Sequence, residues 1–139
     1  MDMFIALAAT QIATVYGYGE HMCGDVGKPQ ACDHRATTAT GDYFKPMEIT
    51  AAVPAPKKKL ISSTIIYVKN YKGSCIPVKV NDKKAPKYVG KGGLDLTPGA
   101  VWAITGKLPN RYWSGKIELC RNEVQPCSST SLPCTAPTH

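Results

Sequence analysis

The chain has 139 residues, with 17 Lys and Arg against 10 Asp and Glu, for a formal net charge of +7. That length makes one domain that buries roughly 70% of its unfolded surface, so a core is available without staples. No apolar run approaches the ~20 residues of a membrane-spanning helix. The basic residues are scattered lysines, with no Arg-rich helix or nucleic-acid motif, so anionic glycan is the expected partner rather than nucleic acid.

Gly, Pro, Thr and Val are frequent and Leu-Glu-Ala runs are absent, which favours β structure. Phe4–Tyr18 reads as one or two short strands ending at a Gly-Tyr-Gly turn. Met1–Ala13 does not read as an export signal, because Asp2 stands where a basic segment belongs. Glu20–Arg35 is a Cys-bounded loop flanked by His21 and His34, which read as surface histidines because no third ligand stands at metal spacing. Ala36–Ala52 carries a Thr-Gly-Asp turn, the aromatic pair Tyr43 and Phe44, and a brief strand Glu48–Ala52. After a Pro/Lys loop, Leu60–Asn70 is a β-branched strand with Ile66 and Val68 on one side and Ile65, Tyr67 and Lys69 on the other.

Cys75–Leu96 follows a hairpin turn at Tyr71–Ser74 and is the most informative stretch. Ile76, Val78 and Val80 alternate as a half-buried strand, Asp82 stands at its end, and Asp95 lies between two leucines. A carboxylate at the rim of a core has its pKa raised by partial burial while staying open to substrate. On spacing alone, however, turn and cap roles for Asp82 and Asp95 are the stronger reading. Leu96–Thr105 is the one helix candidate: Thr97 caps it, Pro98 fits its first turn, and Ala100, Val101 and Ile104 form its apolar stripe. Gly106 ends it. Tyr112–Cys120 is a last strand, and Asn122–His139 is a tail rich in Ser, Thr, Pro and Cys.

Six cysteines, Cys23, Cys32, Cys75, Cys120, Cys127 and Cys134, contain no Cys-x-x-Cys spacing. Disulfides therefore fit better than zinc, and no metal or cofactor is expected. The expected pairs are Cys23–Cys32, Cys75–Cys120 and Cys127–Cys134, one choice among many that six cysteines allow.

Taken in order, ATVYGYG, TATGDYFKP, ITAA, YVKNYKGSCIPVKVND and GGLDLTPGA resemble the RlpA-like septal lytic transglycosylases, relatives of expansins and barwin. The resemblance spans about Ile12–Leu119. It implies a mainly β fold: a six-stranded double-psi β-barrel over residues 1–121 with one short helix, then a disulfide-held tail over 122–139. By position Asp82 matches the family's catalytic carboxylate, and Asp95 lies along the same groove. Val53 stands where the family places a catalytic histidine after Thr-Ala-Ala, and nothing in the spacing brings His21 or His34 in as a substitute.

The resemblance implies cleavage of a β-1,4 glycan by one carboxylate, which protonates the leaving oxygen and then takes the proton of the sugar's own C6 hydroxyl. Tyr16 and Tyr43 offer faces for sugar rings, whereas Phe44 reads as core. Lys83, Lys84, Lys87 and Lys91 suit an anionic wall polymer, and a solvated loop explains them equally well. Without the histidine the expectation is a slow enzyme or a binder of peptidoglycan. The cysteines, the missing signal and the Cys/Pro tail point to a subunit held by neighbouring proteins in a particle such as a bacteriophage tail or baseplate. The alternative is a secreted, extracellular or periplasmic transglycosylase or expansin-like protein.

Overall fold

A computed structural model describes residues 9–17, 37–54, 64–84, 93–120 and 125–126. The expected pairs Cys23–Cys32 and Cys127–Cys134, the histidines His21 and His34, and Lys87 and Lys91 lie outside the described residues.

Among the described residues, seven strands and one helix follow one another as β1 (Thr10–Val15), β2 (Thr50–Val53), β3 (Thr64–Lys69), β4 (Cys75–Lys83), β5 (Asp95–Leu96), α1 (Pro98–Thr105), β6 (Ser114–Glu118) and β7 (Gln125–Pro126). They form one mixed sheet in the order β6-β1-β5-β2-β4-β3-β7. Strands β1 and β5 run parallel, as do β2 and β4, and the remaining pairs are antiparallel. The chain is mainly β, as expected from the sequence, and β4 runs beyond the Ile76–Val80 alternation at both ends.

Alternation works as the sequence implies. In β3, Ile66 and Val68 enter the core, and in β4, Val78 and Val80 do so. From the other side of the sheet order Ala13, Leu94, Leu96 and Ile117 join them. Each Val, Leu or Ile among them contributes about 1.5–3 kcal/mol by leaving water.

The helix sits where its punctuation placed it. Thr97 is fully buried, and its Oγ1 accepts from Ala100 N at 3.2 Å, capping the first turn. The same hydroxyl shares its one proton between Glu48 O and Thr50 O, at 2.6 and 3.1 Å. Gly106 closes the helix with φ of 81°, its N–H donating to Trp102 O at 2.8 Å. Gly99 is required by close approach, since a β-carbon there would meet Met47 O at 2.4 Å.

One edge of β3 is divided between two partners. Thr64 and Ile65 pair with β7, so part of the C-terminal tail belongs to the sheet, which its irregular sequence did not suggest. Farther along β3, Val68 forms an isolated bridge to Leu119, just past β6, and Cys120 N–H donates to Tyr67 O at 2.8 Å. The expected disulfide Cys75–Cys120 is present there, with Cα atoms 6.1 Å apart, tying the start of β4 to the end of β6.

Candidate active site

The site is built from a cross-strand row. Asp82 on β4 lies opposite Ala52 on β2, and Ala52 lies opposite Asp95 on β5. Asp95 in turn lies opposite Thr14 on β1. Residues directly opposite share a face of the sheet. This face is the one away from the core, because the chain neighbours Ala13, Ala51, Leu94 and Leu96 all point into the core.

A bulge puts Asp82 there. Ala51 pairs with Val80 but Ala52 pairs with Asp82, so Asn81 is an extra residue in β4. Were the strand regular through Asn81, Asp82 would continue the alternation of Val78 and Val80 and face the core. One added residue reverses the parity, which is how bulges re-aim side chains beside functional sites. Asn81 itself is buried, and its carbonyl accepts from both the N–H and the hydroxyl of Thr40, at 3.1 and 3.2 Å. This docks the Thr38–Asp42 turn against the end of β4. The turn is closed by Gly41 N–H donating to Thr38 O at 2.9 Å, with Gly41 at φ of 91°.

The docked turn presents its backbone to the carboxylate. Asp82 Oδ1 accepts from Ala39 N at 3.1 Å and from Lys83 N at 2.9 Å. Its Oδ2 meets the Tyr16 hydroxyl at 3.4 Å. Tyr16 follows β1, is anchored by its N–H on Leu96 O at 3.0 Å, and packs its ring on Phe44 with centroids 5.4 Å apart. Phe44 is fully buried, as the resemblance implied. At the other carboxylate, the Thr14 hydroxyl donates to Asp95 Oδ1.

Electrostatics follow from this enclosure. Burial raises the pKa of Asp82, opposed by the N–H groups of Lys83 and Ala39 and by the Tyr16 hydroxyl, and the Asp95 charge adds to the rise. Burial also pushes the Tyr16 hydroxyl well above its ordinary value, and Asp82 and Asp95 reinforce this. Tyr16 therefore stays protonated and available as a donor across the working range of a carboxylic acid.

Asp82, Asp95 and Tyr16, all singled out from the sequence, are thus brought together. Tyr16 enters through its hydroxyl, a role beyond the ring face read from the sequence. Tyr43 stands at the foot of the turn, bridged to Thr37, with 60% of its surface exposed. Lys83 contributes a backbone N–H, while its side chain is exposed. Lys84, read as a loop cation, is buried and donates through Nζ to Gly93 O at 3.2 Å. Its place in the core edge follows from its N–H bond to Val53 O, which extends the β2–β4 pairing by one residue. Val53 is buried within the core. Thr14, Ala39 and Ala52 were not singled out, since each acts through register or backbone and not through a chemical signature. Among the described residues, no group of three His, Cys, Asp or Glu is placed to hold a metal ion.

No family model and no curated protein sequence matches this chain.

Proposed function

We propose that the chain is an RlpA-like double-psi β-barrel that binds bacterial peptidoglycan and cleaves it slowly, with Asp82 as the single acid and base. The observation that carries this reading is the Asp82 carboxylate. It stands on an outward face, is partly buried, has a raised pKa, and is fixed by two backbone N–H groups and a tyrosine. A group that must first give and then take a proton works best when its pKa is moved toward the operating pH.

Closure of the sheet into a barrel draws support from two contacts. The Val68–Leu119 bridge and the Cys75–Cys120 disulfide bring β6 to the far edge of β3. Tyr16, at the end of β1, reaches Asp82 on β4, three strand positions away. A flat sheet with strands ~4.8 Å apart would hold those positions well beyond contact, so the strands coil strongly there.

In the proposed reaction Asp82 protonates the glycosidic oxygen, and the C1–O bond breaks. The C6 hydroxyl oxygen of the same sugar bonds to C1, and its proton goes to Asp82. The product is a 1,6-anhydro sugar, and no water is consumed. Denuded glycan strands incubated with the protein should release anhydro-ended products, and Asp82→Asn should abolish them while leaving sedimentation with insoluble peptidoglycan intact. Absence of both product and co-sedimentation would reject the reading.

The setting proposed is a larger envelope-directed particle such as a bacteriophage tail or baseplate. The net charge of +7 suits an anionic wall, and the disulfide suits an oxidising final location. The same disulfide favours a second reading, a secreted expansin-like wall protein. Recovery of the chain with a multi-protein particle supports the first setting, and recovery as a free secreted protein the second.

A further inference from the structure

The two oxygens of the Asp82 carboxylate have unlike surroundings. Oδ1 accepts from Ala39 N at 3.1 Å and from Lys83 N at 2.9 Å. Among the described residues, Oδ2 meets the Tyr16 hydroxyl alone, at 3.4 Å. A backbone N–H only donates, so a proton on Oδ1 would confront two donors and break at least one bond. A phenol both donates and accepts, so it tolerates either state of Oδ2 by rotating its O–H.

We propose that Asp82 holds its proton on Oδ2 and delivers it from there, with Tyr16 as the positioning residue that adapts to both states. The proposal rests on the reading of Asp82 as an acid and adds the atom, the direction and the partner. In the ionised state Tyr16 donates to Oδ2. In the acid state Oδ2–H donates to Tyr16 Oη, or to the glycosidic oxygen of a bound sugar. When that oxygen takes the proton, the O–H bond to Oδ2 breaks, and Tyr16 turns its hydroxyl back toward the new carboxylate. The proton of the attacking C6 hydroxyl then returns to Oδ2, so the cycle closes on one atom.

The geometry also sets the direction of approach. Oδ2 faces Tyr16 and Oδ1 faces the Thr38–Asp42 turn, so the reacting oxygen comes from the Tyr16 side of Asp82. Three elements face the carboxylate with polar groups: the end of β1 through Tyr16, β5 through Asp95, and the Thr38–Asp42 turn through Ala39 N–H. On β4 itself Lys83 acts through its backbone, with its side chain exposed. The contact of 3.4 Å is long for an O–H···O bond, as is common before substrate closes a site.

Two measurements on the full chain test this without any glycan. The first is a carbon-13 titration of the Asp82 carboxyl in the parent, Tyr16→Phe and Asp95→Asn. Phenylalanine removes a donor to the ionised form, so the midpoint should move up. Asp95→Asn removes a like charge, so it should move down. An unchanged or lowered midpoint in Tyr16→Phe overturns the proposal. The second uses Asp82→Asn, whose amide is a stand-in for the protonated acid. Its NH2 should show proton contacts to the Tyr16 ring, and contacts to the Ala39 amide in their place would overturn the assignment to Oδ2. Loss of glycan cleavage in the parent, with both results intact, would overturn the enzyme reading and leave the location of the proton supported.

Discussion

Asp82 and Asp95 are cross-strand neighbours of one residue, Ala52, which places both carboxylates on the same outward face with two strand spacings between them. At about 4.8 Å per spacing their Cα atoms stand roughly 10 Å apart. The Asp95 charge adds to the rise that burial gives the Asp82 pKa.

The raised pKa of Asp82 makes a stability prediction with an unusual sign for an acidic residue. Its folded pKa lies above the unfolded value, so the folded state binds the proton more tightly. The stabilisation from that proton is complete below the unfolded pKa, near pH 4, and is lost as pH rises through the folded value. Asp82→Asn cannot ionise and escapes the loss. Urea denaturation from pH 3 to 8 should therefore show the variant matching the parent in acid and exceeding it at neutral pH. Glu48, also raised chiefly by burial, is common to both proteins and cancels in the comparison. A variant that falls behind the parent as pH rises would show that the carboxylate is stabilised by its donors more than it is penalised by burial.

Tyr16→Phe should lower the yield of anhydro product by ~10-fold or more, because positioned proton transfer contributes about 10²–10⁴-fold and this residue holds one of the two oxygens. The loss should fall on kcat, with affinity for insoluble peptidoglycan kept, since the ring and its packing on Phe44 remain. Equal loss of binding would show that the hydroxyl contacts sugar directly.

Much of this fold was legible because its signals are local. Thr97, Pro98 and Gly106 mark the ends of α1 within ten residues, and Ile66, Val68, Val78 and Val80 declare their face by alternation. Asp82 was found by its position at a strand end, but the face it occupies depends on the extra residue Asn81, which no propensity announces. Nothing local marks the docking of the Thr38–Asp42 turn on Asn81 O, nor the reach of the Tyr16 hydroxyl to Asp82, since both join residues more than forty positions apart. The tail was read as irregular because a two-residue strand, one residue of it proline, carries no period. Lys84 looked solvated because its chain neighbours are polar, while its burial comes from pairing beside Val53.

Thr97→Val should cost about 1–3 kcal/mol in urea denaturation, the penalty for leaving buried polar groups without a partner. The substitution keeps shape but removes the oxygen that caps α1 and bonds to Glu48 O and Thr50 O, at a fully buried position. Thr97→Ser keeps the oxygen and should recover most of the loss. A valine variant as stable as the parent would mean that these backbone groups find other partners.

Removing the Cys75–Cys120 disulfide tests how the edge of the sheet is held. Among the described residues, noncovalent pairing between the end of β6 and β3 is the Val68–Leu119 bridge, which includes the bond from Cys120 N–H to Tyr67 O, and the Lys69–Glu118 ion pair at 3.5 Å, a thin ladder for two strands. The disulfide links residues 45 apart in sequence, so its loss frees a long loop in the unfolded chain. A cost of about 2–4 kcal/mol is expected for Cys75→Ala/Cys120→Ala in urea denaturation. If this edge depends on that tether, amide exchange should quicken at residue 120, whose N–H bonds to Tyr67 O, before it does at Val78 or Val80, which lie between two paired strands. Uniform quickening across β3, β4 and β6 would instead show that the bond acts only through the unfolded state. In that case the local pairing, thin as it is, closes the edge unaided.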